Sequence, residues 1–88
     1  MSETKPKKIS AITSNEYRQI YANNLSLRTT NWDLLFDFGK ITSVSEDDVS
    51  VEKLVGIVVS PQQAKEISFQ LTSAVSEFEK QFGEISTK

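Results

Sequence analysis

An α+β fold is predicted, a three-stranded antiparallel meander followed by one C-terminal amphipathic helix packed on one face, and three features of the 88-residue chain carry that prediction. Trp32, Leu34, Phe36 and Phe38 alternate with Asp33, Leu35 and Asp37. A β-branched run, VSVEKLVGIVV, spans Val49 to Val59. After Ser60-Pro61, apolar residues recur every three or four positions. A two-residue period marks a strand with one buried face, and a period near 3.6 marks a helix with one apolar stripe. Short polar connections favour the meander, and the stripe is expected to lie across the face carrying Trp32, Phe36 and Phe38.

Residues 1–14 form a lysine-containing tail expected to be disordered, 15–85 a single domain, and 86–88 a frayed end. The first strand is expected from Tyr17 to Leu27, with Tyr17, Tyr21, Leu25 and Leu27 at odd positions. The second begins at Trp32, and its aromatic alternation would scatter around a helix but lines one face of a strand. SVSEDD supplies a polar turn. In the third strand Val49, Val51, Val55, Ile57 and Val59 alternate, and their β-branched side chains favour extended backbone. Ser60 is a helix N-cap and Pro61 occupies the first helical position, where its missing N–H costs nothing. Ala64, Ile67, Leu71, Ala74, Val75, Phe78 and Phe82 form the stripe, and Gly83 can turn left-handed at the C-terminus.

Pairing Leu27 with Trp32 and Leu25 with Leu34 keeps apolar faces together, and opposes Asn23 to Phe36 and Tyr21 to Phe38. Pairing Val44 with Val49 opposes Phe38 to Val55 and Phe36 to Ile57, but sets Lys40 beside Lys53. That like-charge pair predicts a bulge at Gly39.

Composition narrows the chemistry. With no cysteine and no histidine, disulfides, thiolate metal sites, the commonest zinc ligands and the commonest general base are all excluded. Carboxylates, hydroxyls and lysines remain. No metal, cofactor or catalytic residue is expected, and the chain reads as non-enzymatic. A net charge of −2 argues against a dedicated nucleic-acid binder. The one basic cluster is Lys5, Lys7 and Lys8, which reads as a solubilising tail. No apolar run approaches the ~18 residues of a membrane span, and no signal-peptide run follows the N-terminus, so a cytoplasmic, membrane-free protein is expected.

Asp33 and Asp37 share a strand face, yet four residues at ~3.3 Å rise hold them roughly 13 Å apart, beyond the separations at which carboxylate pairs cooperate. They read as solvated or salt-bridged groups on the face away from the helix, with recruitment of one into a metal or ligand site at an oligomer interface as the alternative. Asp37-Phe38-Gly39 spells the kinase metal tripeptide by accident, since no glycine-rich loop or histidine accompanies it. Asn24-Leu25-Ser26 fits a glycosylation acceptor, a pattern without weight where no secretory signal is seen. Asn23 is sent by parity to the apolar face, where its amide must find partners in the fold or recognise a ligand. Asn23, Asn24, Asp33 and Asp37 are therefore the candidate polar recognition residues. Tyr21 and Trp32 read as core or rim aromatics.

The ordered fragments Tyr21-Ala22-Asn23-Asn24, Trp32-Asp33, Asp37-Phe38-Gly39, Ser60-Pro61-Gln62-Gln63-Ala64-Lys65 and Phe78-Glu79-Lys80-Gln81-Phe82-Gly83-Glu84-Ile85 resemble a small prokaryotic family catalogued as domain of unknown function 3467. The resemblance covers about Tyr17 to Ile85. Leu35 and Phe78 depart from it, standing where a more polar residue or a tyrosine is expected. It implies the strand, strand, strand, helix order and a non-enzymatic module, and nothing about a substrate.

The sheet face away from the helix mixes Ile20, Ala22, Leu35, Leu54 and Val58 with Asp33, Asp37 and Glu52, and Phe69 points away from the helix stripe among Thr72, Ser73 and Ser76. Leu35, Leu54, Val58 and Phe69 are the candidate interface residues. The expected function is a non-catalytic interaction or assembly module that forms a homodimer or higher homo-oligomer, with an unknown protein as the other partner. A weak nucleic-acid binder using the lysine tail with Arg18 or Arg28 is the alternative, and a carboxylate-based hydrolase or metal enzyme comes third.

Overall fold

The computed structural model describes residues 7–87. Strands β1 (Asn24–Thr29), β2 (Leu34–Val44) and β3 (Val49–Val59) form one antiparallel sheet in the order β1-β2-β3, and helix α1 (Pro61–Phe82) follows. The element types and their order are those the two periodicities predict. Residues 1–6 of the expected tail, Lys5 among them, lie outside the described residues, as does Lys88. Lys7 and Lys8 are exposed and belong to no strand or helix.

β1 starts at Asn24, later than the Tyr17 expected from alternation. The reason is Asn23. Its backbone N–H still donates to the carbonyl of Gly39 (3.0 Å), but the next ladder position is taken by its side chain, whose Oδ1 accepts from the N–H of Ile41 (2.9 Å). With an amide oxygen standing in for a strand carbonyl, the preceding chain is released from pairing.

The β1–β2 register also differs from expectation. Leu27 pairs with Phe36 and Leu25 with Phe38, where Trp32 and Leu34 were the expected partners. Parity is kept because the connecting loop has the expected length and has only slid two residues along, to Thr30–Asp33. Thr30 holds it there. Its N–H donates to the carbonyl of Asp33 (2.9 Å), while its hydroxyl accepts from the N–H groups of Trp32 (3.1 Å) and Asp33 (3.0 Å). Trp32 is consequently at a loop tip, 78% exposed, and not on the sheet.

Between β2 and β3 the expected pairs Val44–Val49, Phe38–Val55 and Phe36–Ile57 all occur, with a register shift between Phe38 and Gly39. The shift moves Lys40 from Lys53 to Glu52, so a like-charge neighbour becomes an opposite one. Only glycine fits at position 39: a Cβ there would lie 2.7 Å from the Glu52 carbonyl oxygen and 2.9 Å from Val51 Cγ1. The contact places Val51 on the side of the sheet opposite Phe38 and Val55, which breaks the uninterrupted alternation expected along β3. A second shift follows between Ile41 and Ser43, where the Thr42 hydroxyl donates to the Ser50 carbonyl (3.2 Å).

α1 begins and ends as its caps dictate. The Ser60 hydroxyl accepts from the N–H of Gln63 (3.1 Å), and Pro61 opens the first turn. Gly83 has φ 101° and ψ 169°, a conformation essentially restricted to glycine, and its N–H donates to the Glu79 carbonyl (2.8 Å). The Glu79 carboxylate also accepts from the N–H of Ile85 (2.9 Å), tying the following residues to the last turn.

The helix does not pack over the sheet, contrary to the two-layer expectation. Extensive contacts between elements join β1 to β2 and β2 to β3 only. The radius of gyration is 17.5 Å, against about 12 Å for a compact chain of this length; residues 7–23, which form no strand or helix, share in that excess with the unpacked helix. The cause is local. One residue, Ser60, separates Val59 at the end of β3 from Pro61 at the start of α1. Ser60 is extended (φ −71°, ψ 160°), as the following proline requires, and Pro61 has its own φ fixed. Connections from strand to helix that fold back usually take two to six residues. This one projects the helix onward.

Candidate interaction surface

Cross-strand pairing assigns each sheet residue to a face. Leu25, Phe38 and Val55 form one row, Leu27, Phe36 and Ile57 the next, and Thr29, Leu34 and Val59 the third. Three rows of almost wholly apolar side chains thus cover one face. Leu25 and Leu27 are each about half exposed (50% and 51%), Ile57 is 45% exposed, and among the described residues no large apolar side chain is buried. The Phe36 and Phe38 rings stack at a centroid distance of 6.2 Å on this face.

The chain before β1 runs beside it. Arg18, Ile20 and Ala22 border, with Phe38, Val55 and Ile57, an open groove of about 840 Å³. Ile20 and Ala22 were expected on the opposite face by parity, but parity lapses where the chain leaves the ladder at Asn23. Leu54 lines the same groove rather than the outer face, because the slip at Gly39 inserts it as an extra residue beside Val55. Of the candidate interface residues, Leu35 and Val58 do pair with each other on the outer face, in the row of Arg28.

That outer face is organised by Asp37. Its carboxylate, only 12% exposed, lies 3.4 Å from Arg28 on β1 and 3.4 Å from Lys53 on β3, so one acid ties all three strands. Gly56, its direct partner on β3, leaves the room, since a Cβ there would be 3.0 Å from Asp37 Oδ1. Asp33 belongs instead to the Thr30–Asp33 loop, so the two aspartates do not converge. Asn24 is half-buried opposite Gly39, and Asn23 is engaged by Ile41. Sequence reasoning missed the Arg28–Asp37–Lys53 cluster because its β1 register was displaced and because the unbulged β2–β3 register set Lys53 opposite Lys40, on the other face from Asp37; the slip at Gly39 brings Lys53 to the outer face. Among the described residues no group of three or more acidic side chains is arranged to hold a metal ion.

The second apolar surface is the helix stripe. Ala64 and Ile67, in the first two turns, are half-buried. Beyond them Leu71, Val75, Phe78 and Phe82 are 61%, 38%, 51% and 70% exposed. The Phe78 and Phe82 rings touch at 4.8 Å between centroids. Phe69, on the far side, is 60% exposed with the Lys65 ammonium 6.0 Å from its ring centre. No described helix is long and apolar enough to cross a membrane.

No curated protein and no solved structure matches this chain. A family model does, over residues 1–87, and its description is protein of unknown function (DUF3467). An ordered set of weak fragments had suggested that family, and with a match spanning nearly every residue the chain belongs to it.

Proposed function

We propose that this chain is a non-catalytic assembly module that functions by associating with copies of itself. One observation carries the reading: the molecule has two apolar faces, the sheet rows and the helix stripe, and covers neither. Its accessible surface is 8579 Å², where a compact monomer of this size exposes about 5,200 Å². Part of the excess belongs to residues 7–23, which form no strand or helix. The uncovered apolar rows and stripe contribute to the rest, and obligate homodimers bury about 2,000 Å² or more in total. A second copy is the partner that brings a stripe for the face and a face for the stripe at once.

The chemistry supports the same reading. Asp37 is occupied by two cations, Asp33 sits in a loop, and the chain has neither histidine nor cysteine. On the nucleic-acid reading, Arg28 would have to be shared with Asp37, 3.4 Å away. Sedimentation equilibrium tests the proposal: a dimer or larger assembly is expected through the micromolar range, and Leu27→Asp or Leu71→Asp should each dissociate it. Phe69→Ser should remove only species larger than the dimer, if helices also meet back to back. A monomer at high micromolar concentration overturns the reading.

A further inference from the structure

Resting on that self-association, we propose a specific arrangement: two copies exchange helices, so that the apolar rows of each sheet are covered by the partner's α1. Three observations converge on this occupant. The hinge is one residue long and stiffened on both sides, by the pre-proline restriction on Ser60 and by the fixed φ of Pro61, and in its extended state it leads the helix away from its own sheet. The lengths match. Leu71 to Phe82, the part of the stripe left uncovered, spans about 16 Å at helical rise. The sheet rows from Leu34 to Phe38 span about 13 Å at strand rise. Finally, burial changes along α1 in the required order: Ala64 and Ile67, next to the hinge, are already half-covered by their own chain, while Leu71 and the stripe residues beyond it are open.

Exchange about a two-fold axis near Ser60 closes both surfaces with one contact type repeated twice. The competing arrangement stacks sheet on sheet and leaves the helices to pair separately. The two differ in what the hinge does. Under exchange the short hinge is the reason the helix must leave; under sheet stacking it is irrelevant.

The test lengthens it. Six Gly/Ser residues inserted between Val59 and Ser60 allow α1 to close on its own sheet. A flexible linker of that length gives an effective concentration on the order of 1 mM, about a hundredfold above a protein concentration of about 10 µM. The expected result is a monomer that keeps its helix and strand content by circular dichroism, alongside a native chain that remains dimeric. A lengthened chain that dimerises as strongly as the native one overturns exchange while leaving self-assembly intact. A native chain that is itself monomeric overturns both.

A second measurement covers the case in which the insertion prevents folding. The native chain has no cysteine, so Leu27→Cys and Leu71→Cys can be introduced singly into two differently tagged copies, refolded together and treated with a short bismaleimide. Exchange requires a cross-link joining the two tags through positions 27 and 71. Cross-links confined to position 27 with position 27 would indicate stacked sheets, and a double variant that closes only within one chain would indicate a folded-back helix; either overturns exchange.

Discussion

Gly39 and Gly56 face each other's neighbourhoods across β2 and β3, and the atoms around them set very different tolerances. At Gly39 the obstacle is backbone, the Glu52 carbonyl oxygen 2.7 Å from where a Cβ would sit. The slip that separates Lys40 from Lys53 depends on that close approach, so an added methyl displaces two strands at once. At Gly56 the obstacle is the end of a side chain, Asp37 Oδ1 at 3.0 Å, which can swing at the expense of its two ion pairs. Gly39→Ala is therefore expected to destabilise by about 2–3 kcal/mol, as overpacking does. For Gly56→Ala about 1 kcal/mol is expected, the scale of a partly exposed ion-pair network. Urea unfolding at one fixed protein concentration measures both, and equal losses would contradict the assignment of the bulge to Gly39. The bulge was legible in the sequence because the unbulged register put two lysines together. The Asp37 cluster was not, because it needs Arg28, whose position depends on where the four-residue loop just beyond it closes, and Lys53, which only the slip brings to that face.

At the level of elements, caps and parities were readable and extents were not. Ser60, Pro61 and Gly83 bracket α1 as their side-chain chemistry requires, a local matter that no tertiary contact overrides. Strand faces followed from alternation for Leu25, Leu27, Phe36 and Phe38. The start of β1 was hidden because Asn23 ends the ladder with a side-chain amide, and the β1–β2 loop was hidden because Arg28–Asn31 is the more polar of two stretches of one length, while the observed loop Thr30–Asp33 contains Trp32, which alternation assigns to the strand. The Thr30 hydroxyl decides between them. The helix terminus offers a direct check. Gly83 at φ 101° and ψ 169° occupies a region that a Cβ disfavours by about 1–3 kcal/mol. Gly83→Ala should thus release the Gly83–Glu79 and Ile85–Glu79 hydrogen bonds and fray the last turn. Amide exchange of Gly83 and Ile85 should accelerate in the variant while that of Ile67 to Leu71 stays unchanged; protection retained at Ile85 would show that the cap does not depend on glycine.

For the whole molecule the governing fact is that, among the described residues, three strands and a helix are formed while no large apolar side chain is buried. The hinge responsible was visible in Val59-Ser60-Pro61, but apolar periodicity alone says which surfaces need covering and not which chain covers them. A sheet of three strands with an exposed apolar face, and a helix of 22 residues with an open stripe, have little independent stability. Folding and association are therefore expected to be one transition, with the burial that stabilises each chain supplied by the other. Such a transition depends on concentration. With an unfolding entropy of about 2.1 cal/mol/K per residue summed over two chains, each tenfold rise in protein concentration should raise the Tm by about 4 °C. Circular dichroism melts at three concentrations a decade apart measure the slope, with reversibility checked by rescanning. A Tm that stays constant over that range, with the helical and aromatic signals lost together, would mean that each chain forms its core alone, and the uncovered faces of this fold would then have to be closed within one molecule.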